Sequence, residues 1–316
     1  MTITPGHPDR RRSLLAGLFG QGIKPSLTPE LHEREAGRQR IRYVYKTVDL
    51  DDRQATPDHL RQLLDFAIEL GFDGLNVTHP VKQTMVPLMH RVTAEVQAIG
   101  AINTVLIKDG ETIGHNTDVT GFGRAFREGL PAAELDEVVL LGAGGAGTAV
   151  AHALVRLGVR RLRVVDPDAH RAEALVRSTG QLPADTEVQT LPAADLPGLL
   201  AGASGLVNAT PLGMADHPGT PVPAKLLHSN LWVADIVYRP LVTELLRAAR
   251  ARGCQTLSGA GMAVHQAADA FELFTGRSAN REAMFRDFDE MVAAEVAKTG
   301  TPANPPAREP SGERNQ

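Results

Sequence analysis

The run Val138-Val139-Leu140-Leu141-Gly142-Ala143-Gly144-Gly145-Ala146-Gly147 leads into an apolar stretch at 148–157 and then into Leu162-Arg163-Val164-Val165-Asp166. Few architectures accommodate that order. A short β-branched run reads as a buried parallel strand. Gly142 then allows a sharp turn, Gly144 allows the backbone to approach a pyrophosphate, and Gly147 allows the helix to pack close on the strand. With Gly145 and Ala146 these residues open a helix whose first N–H groups have no intrahelical partner and can face phosphate. Asp166 ends the next strand roughly 20 residues past the last glycine, where a carboxylate can accept hydrogen bonds from both ribose hydroxyls of an adenosine. A 2′-phosphate there would meet a like charge, so the pattern favours NAD over NADP. Glycines also end strands for structural reasons alone; here the strand, the helix and the acidic residue all stand where the motif requires them.

At 316 residues the chain is long enough for two domains, each with its own core. The formal net charge of −4 and the absence of a Lys/Arg stripe argue against nucleic acid as a partner. A single cysteine, Cys254, excludes an internal disulfide and fits a reducing cytoplasm. The eleven histidines are scattered without ligand spacing, so no metal site is expected. Arg10-Arg11-Arg12 before an apolar stretch superficially resembles an export signal, but that stretch is short and glycine-interrupted. It reads instead as the first buried strand after an unstructured start at 1–13. No segment approaches ~20 uninterrupted apolar residues, so no membrane span is expected. Residues 298–316, rich in Pro, Glu and Asn, read as a disordered tail.

Two territories follow. In the first, strands at 14–19, 42–48 and 74–77 alternate with helices at 29–36, 59–70, 80–89 and 93–99. A hairpin of 103–108 and 111–114 closes it, with Asp109-Gly110 as its turn. The pattern predicts an open, mainly parallel α/β sheet. After a linking helix at 119–128, six strands at 138–141, 161–165, 187–191, 205–208, 232–237 and 256–257 predict a doubly wound Rossmann domain. Helices at 262–274 and 281–297 come after that sheet is complete and are expected to pack back on the first domain. The fold class is therefore α/β with two domains, an N-terminal domain at 14–117 completed by 259–297 and a dinucleotide-binding domain at 118–258, with a cleft between them.

Candidate chemistry clusters in the first territory. In Lys24-Pro25-Ser26-Leu27-Thr28-Pro29, Thr28 reads as an N-cap with Pro29 at the first helical position, and the paired hydroxyls Ser26 and Thr28 suit a carboxylate. In Asn76-Val77-Thr78-His79-Pro80-Val81-Lys82 the lysine falls on the first turn of a proline-started helix. The helix dipole disfavours a cation there, and a lysine held in a cleft can exchange protons. Asn103, in Gly100-Ala101-Ile102-Asn103-Thr104, and Asp118, in His115-Asn116-Thr117-Asp118, could be turn and cap residues, Asp118 standing where the linking helix needs a cap.

Taken together these segments resemble the shikimate/quinate dehydrogenase family from residue 14 to about 274. The marks are S-x-T-P at 26–29, N-V-T-H-P-x-K at 76–82, G-A-I-N-T at 100–104, H-N-T-D-x-x-G-F at 115–122 and G-A-G-G-A-G at 142–147. N-A-T-P-x-G-M at 208–214, Tyr238-Arg239-Pro240 and G-M-A-x-H-Q-A at 261–267 complete the series. The resemblance implies that Ser26 and Thr28 hold a substrate carboxylate and that Thr78, Asn103 and Gln266 bond ring hydroxyls. It implies Lys82 and Asp118 as a catalytic pair that also touches substrate. Thr210, Pro211, Val237, Gly259 and Met262 would lie along the coenzyme, as would Arg171. The commoner pattern has a lysine between two serines and an Asn-Arg-Thr run after the second Rossmann strand. Here Leu27, Thr28 and Asp166-Pro167-Asp168 stand in those places. With His79, these departures resemble the NAD-using quinate/shikimate branch of actinobacterial type.

The implied activity is reversible oxidation of the C3 hydroxyl of quinate, and of shikimate, by NAD, in the cytoplasm, by a monomer or homodimer. An NADP-dependent biosynthetic shikimate dehydrogenase is the enzymatic alternative. A non-catalytic sensor of quinate or NAD is the alternative of another class, and such a chain would have no reason to keep both Lys82 and Asp118.

Overall fold

The computed structural model describes residues 13–51, 55–180, 182 and 185–299. The expected unstructured ends at 1–13 and 298–316 fall almost wholly outside them. The final helix, however, runs through Lys298 to Thr299.

The first sheet contains β1 (Leu14–Gly20), β2 (Tyr43–Asp49), β3 (Gly74–Val77), β4 (Arg91–Val92), β5 (Thr104–Lys108) and β6 (Glu111–His115), in the order β2-β1-β3-β5-β6-β4. It is mixed, with three parallel pairings and two antiparallel. β1 pairs parallel with β2 and β3, β4 with β6, while β5 runs antiparallel to both neighbours. The antiparallel pairing of β5 with β6 follows from the Asp109-Gly110 turn, where both residues have positive φ (53° and 80°) as a two-residue type I′ hairpin demands. Helices α1 (Thr28–Arg38), α2 (Pro57–Glu69) and α3 (Ala94–Ile99) complete this layer, and Thr56 and Thr93 cap the last two with their hydroxyls.

The predicted helix at 80–89 does not form. Only a 3₁₀ turn, Val86–Leu88, is present. The backbone is spent elsewhere: the Lys82 carbonyl accepts the Ile102 N–H at 3.0 Å, and Pro87 has no N–H to give. Lys82 therefore sits on an irregular loop fastened to the start of the hairpin, and the dipole argument does not apply to it.

The second sheet has β7 (Glu137–Leu141), β8 (Arg161–Val165), β9 (Glu187–Thr190), β10 (Gly205–Asn208), β11 (Trp232–Asp235) and β12 (Gln255–Ser258). Its order is β12-β11-β10-β7-β8-β9 and every pairing is parallel, the doubly wound arrangement predicted. Helices α4 (Asp118–Gly129), α5 (Gly145–Leu157), α6 (Ala169–Thr179), α7 (Leu196–Gly202) and α8 (Glu244–Ala251) flank it. Val138, Leu140, Val150, Leu154, Leu162 and Trp232 pack in one core between the sheet and α4 and α5. β7 is fully enclosed except at Glu137, as a strand covered on both faces should be.

α4 begins one residue earlier than predicted and connects the two layers. Its apolar residues Val119, Phe122, Ala125 and Phe126 are buried at helical spacing. Helix α9 (Ala260–Thr275) packs along α4 and against β1 and β5, and α10 (Arg281–Thr299) packs on α1 and α9. Among the described residues no helix is long and apolar enough to cross a membrane.

Candidate active site

Lys82 and Asp118 meet where the two layers face each other. Lys82 Nζ lies 2.6 Å from Asp118 Oδ2, with side chains 17% and 7% exposed, so the pair is largely enclosed. Asp118 is not the cap of α4. Thr117 occupies the cap position but its hydroxyl bonds no N–H of the helix, and Asp118 is the first helical residue, its N–H held by Asn116 Oδ1 at 3.0 Å. That frees the Asp118 carboxylate to point at Lys82.

Asn103 fixes the other carboxylate oxygen. Its Nδ2 donates to Asp118 Oδ1 and to Thr117 Oγ1, both at 2.9 Å, while its Oδ1 accepts the Thr117 N–H at 2.7 Å. Behind it the chain of donors continues from Thr104 Oγ1 to Asn103 Oδ1 (3.0 Å), from Asn76 Nδ2 to Thr104 Oγ1 (3.2 Å) and from Tyr45 OH to Asn76 Oδ1 (2.8 Å). A buried polar network fully satisfied in this way holds its members in one geometry.

Ser26 and Thr78 lie on loops leaving the adjacent ends of β1 and β3, and Thr28 opens the helix that follows the first of them. The Thr78 N–H bonds the Phe19 carbonyl at 2.9 Å and the Gln21 N–H bonds the His79 carbonyl at 3.0 Å, so the two loops are stitched together. Thr28 is the first residue of α1 rather than its cap; Leu27 is at the cap position. The Ser26 hydroxyl takes over the local role, accepting the Thr28 N–H at 3.3 Å. His79, beside them, is pushed below the usual imidazole range by burial, with Lys82 and Arg171 adding repulsion. Gln266 reaches the network only through its backbone, whose carbonyl accepts the Thr117 hydroxyl at 3.1 Å; its side-chain amide donates to Ala263 within α9.

Across from Lys82 lies the glycine-rich turn. A Cβ added to Gly145 would come within 3.7 Å of the Lys82 side chain, so turn and lysine are neighbours. Gly142 has φ +96°, which an L side chain resists, and a Cβ on Gly147 would lie 2.0 Å from the Gly142 carbonyl oxygen. Gly144 caps α5 with no side chain and would meet nothing with a Cβ, leaving room in front of the first turn, where Gly145, Ala146 and Gly147 follow. Asp166 Oδ2 accepts the Ala143 N–H at 2.7 Å and its Oδ1 the Asp168 N–H at 2.8 Å, so the carboxylate is fixed at the mouth of the turn. An uncapped helix start, open space before it and a fixed acceptor beside it fit a dinucleotide. Arg171 is exposed on α6 and paired with Asp168 at 3.3 Å.

Thr210, Pro211, Val237, Gly259 and Met262 lie on the far side of the turn, past the ends of β10, β11 and β12. The Thr210 hydroxyl donates to Asn208 Oδ1 at 2.6 Å. Sequence reasoning missed the residue beneath them. It read a strand through Val237, but β11 stops at Asp235, whose Oδ1 takes the Val237 N–H at 3.1 Å and turns the chain. The available signal was an acid at the exit of an apolar strand, the same signal used for Asp166. Also missed was Arg239, whose guanidinium binds the Pro25 carbonyl and Glu295, tying the loop after β11 to the loop carrying Ser26.

Two α/β layers that meet at a Lys–Asp pair facing a dinucleotide turn define a two-domain oxidoreductase of the dinucleotide-dependent class. Family models agree: the shikimate dehydrogenase substrate binding domain matches residues 18–105 and the shikimate 5′-dehydrogenase C-terminal domain residues 259–284, with the ThiF family model on 116–186. A Streptomyces avermitilis protein named shikimate dehydrogenase (NADP(+)) is 52% identical over 90% of this chain and 98% of its own. A Corynebacterium glutamicum protein named quinate/shikimate dehydrogenase (NAD(+)) is 50% identical over 84% and 94%. The solved structure of quinate dehydrogenase from Corynebacterium glutamicum in complex with NAD superposes with a TM-score of 0.81 at 48% identity, covering 87% of this chain and 98% of that one. The chain belongs to the shikimate dehydrogenase family.

Proposed function

We propose that the chain reversibly oxidises the C3 hydroxyl of quinate, and of shikimate, to the 3-dehydro ketone with NAD as hydride acceptor. The observation that carries the substrate half is the Lys82–Asp118 pair at 2.6 Å facing the glycine turn. The observation that favours NAD is Asp166, anchored by two backbone N–H groups so that its charge stays where a 2′-phosphate would have to sit. The relatives named for quinate and NAD support the same reading, and the Streptomyces relative named for NADP keeps the alternative coenzyme in view.

Nicotinamide, when bound, supplies the hydride acceptor; the protein supplies alignment and proton transfer. Ser26 and Thr28 present hydroxyls to the substrate carboxylate. Thr78, the Gln266 side chain once turned from Ala263, and Asn103 once its amide has released Thr117, hold ring hydroxyls. As the neutral amine Lys82 Nζ takes the C3 hydroxyl proton during oxidation, becoming the ammonium, and as the ammonium it returns that proton during reduction. Asp118 holds the lysine at that point and accepts a hydrogen bond from a neighbouring ring hydroxyl. Gly142 to Gly147, Thr210, Pro211, Val237, Gly259 and Met262 line the coenzyme, and Arg171 stands near its adenosine end. Substrate and coenzyme are held by different layers, so productive binding requires the cleft to close.

Incubation with quinate and NAD, with the product identified by NMR, tests the reading. A ketone at C3 is expected; a ketone at another carbon, or no product, overturns it.

A further inference from the structure

Asp235 ends β11 with only 1% of its surface exposed, and every bond to it comes from a donor. Oδ1 accepts the Asn208 amide at 3.0 Å and the Val237 N–H at 3.1 Å; Oδ2 accepts the Thr243 hydroxyl at 2.6 Å. Burial still pushes its carboxyl up to about 6, against those three hydrogen bonds. Keeping a carboxylate so enclosed is costly, and an apolar side chain would serve a purely structural strand end better.

The geometry shows what the carboxylate controls. Asn208 spends both amide hydrogens, one on Asp235 and one on the Leu212 carbonyl at 3.0 Å. Its Oδ1 must then face the loop, where it receives the Thr210 N–H at 3.1 Å and the Thr210 hydroxyl at 2.6 Å. One carboxylate thus sets the orientation of an amide that in turn shapes residues 208–212, while its other contacts fix Val237 and the start of α8 through Thr243.

We infer that Asp235 is a positioning residue for the nicotinamide end of the coenzyme site, acting through Asn208 and Val237 without touching the coenzyme. The inference rests on the functional reading that Thr210, Pro211 and Val237 lie along the nicotinamide. An amide at 235 replaces one acceptor oxygen by an N–H₂, so either Asn208 and the Val237 N–H lose their acceptor or Thr243 must reverse its hydroxyl to accept, while the glycine turn and Asp166 stay intact.

The test compares two ligands that differ only at that end. For Asp235→Asn, calorimetry should show ADP-ribose binding within about 2-fold of wild type and NADH binding weakened by about 10-fold or more. In the same variant kcat should fall further than KM for quinate rises. If Asp235→Asn does not fold, Thr243→Val removes one of the three donors and should show the same split to a lesser degree, with Thr243→Ser restoring wild-type behaviour. Equal weakening of ADP-ribose and NADH, or no change in either, overturns the role of Asp235. Wild-type protein that binds neither ligand overturns the functional reading itself.

Discussion

Lys82 and Asp118 stand 36 positions apart, on an irregular loop of the first layer and on the first turn of the connecting helix, yet their charged atoms are 2.6 Å apart. Neither position is left to chance: the Ile102 N–H holds the lysine's backbone carbonyl, and Asn103 holds the free oxygen of the carboxylate. Two consecutive residues of the hairpin entry therefore align both partners.

Lys82→Ala should lower turnover by roughly 10²–10⁴ while substrate affinity changes moderately, because proton transfer is lost and the carboxylate site is not. Asp118→Asn should impair turnover and binding together. Steady-state kinetics for both variants check this, and near-normal turnover of Lys82→Ala contradicts the assignment.

Gly147 and Gly144 should respond oppositely to alanine. At Gly147 the new Cβ would fall 2.0 Å from a carbonyl oxygen, so the helix and strand must part; a destabilisation of at least about 2 kcal/mol is expected in denaturant titrations. At Gly144 the Cβ meets nothing, so stability should hold while KM for the coenzyme rises.

Acid should destabilise the fold through two enclosed histidines. Burial holds His32 down at about 3 and His152 at about 4. The unfolded chain therefore takes up protons near pH 6.5 that the folded chain refuses, and stability present above that pH is lost as pH falls toward 4. Each histidine contributes a slope of about 1.4 kcal/mol per pH unit in that window. Asp235, raised to about 6, opposes one of them between pH 6 and 4, so the net slope keeps its sign. Denaturant titrations at pH 7 and 4.5 should show the loss, and His152→Gln should reduce it.

Arg239→Ala should raise KM for quinate by about 3- to 10-fold with little change in kcat, because the loop carrying Ser26 loses its tie to the loop after β11. An unchanged KM would show that this tie does not order the carboxylate site.

The second sheet was legible at its centre because β7, β10 and β11 are buried on both faces and so read as short apolar runs; β10, Gly205–Asn208, falls at the predicted residues, as does β8, Arg161–Val165, whose buried Leu162, Val164 and Val165 mark it. The first sheet's mixed direction was less so: the Asp109-Gly110 turn announced one antiparallel pair, but nothing local announces that β5 also runs against β3. The failed helix at 80–89 is a tertiary effect, since the lysine carbonyl that a helix would use is taken by Ile102. The pairing of Lys82 with Asp118 was expected from the family resemblance; the bond from Asn103 to Asp118 was not, since the resemblance gave Asn103 to a ring hydroxyl. Asp235 was not found although an acid at the exit of an apolar strand announced it, because the strand was read through Val237; its bond to Asn208, 27 residues away, is made only by the fold.

The most direct test of the account is the initial rate of nicotinamide reduction by purified protein with quinate and shikimate, each with NAD and NADP. The account predicts the highest kcat/KM for quinate with NAD, with weaker shikimate turnover by the same coenzyme. Turnover of shikimate with NADP alone would contradict both the substrate and the role given to Asp166.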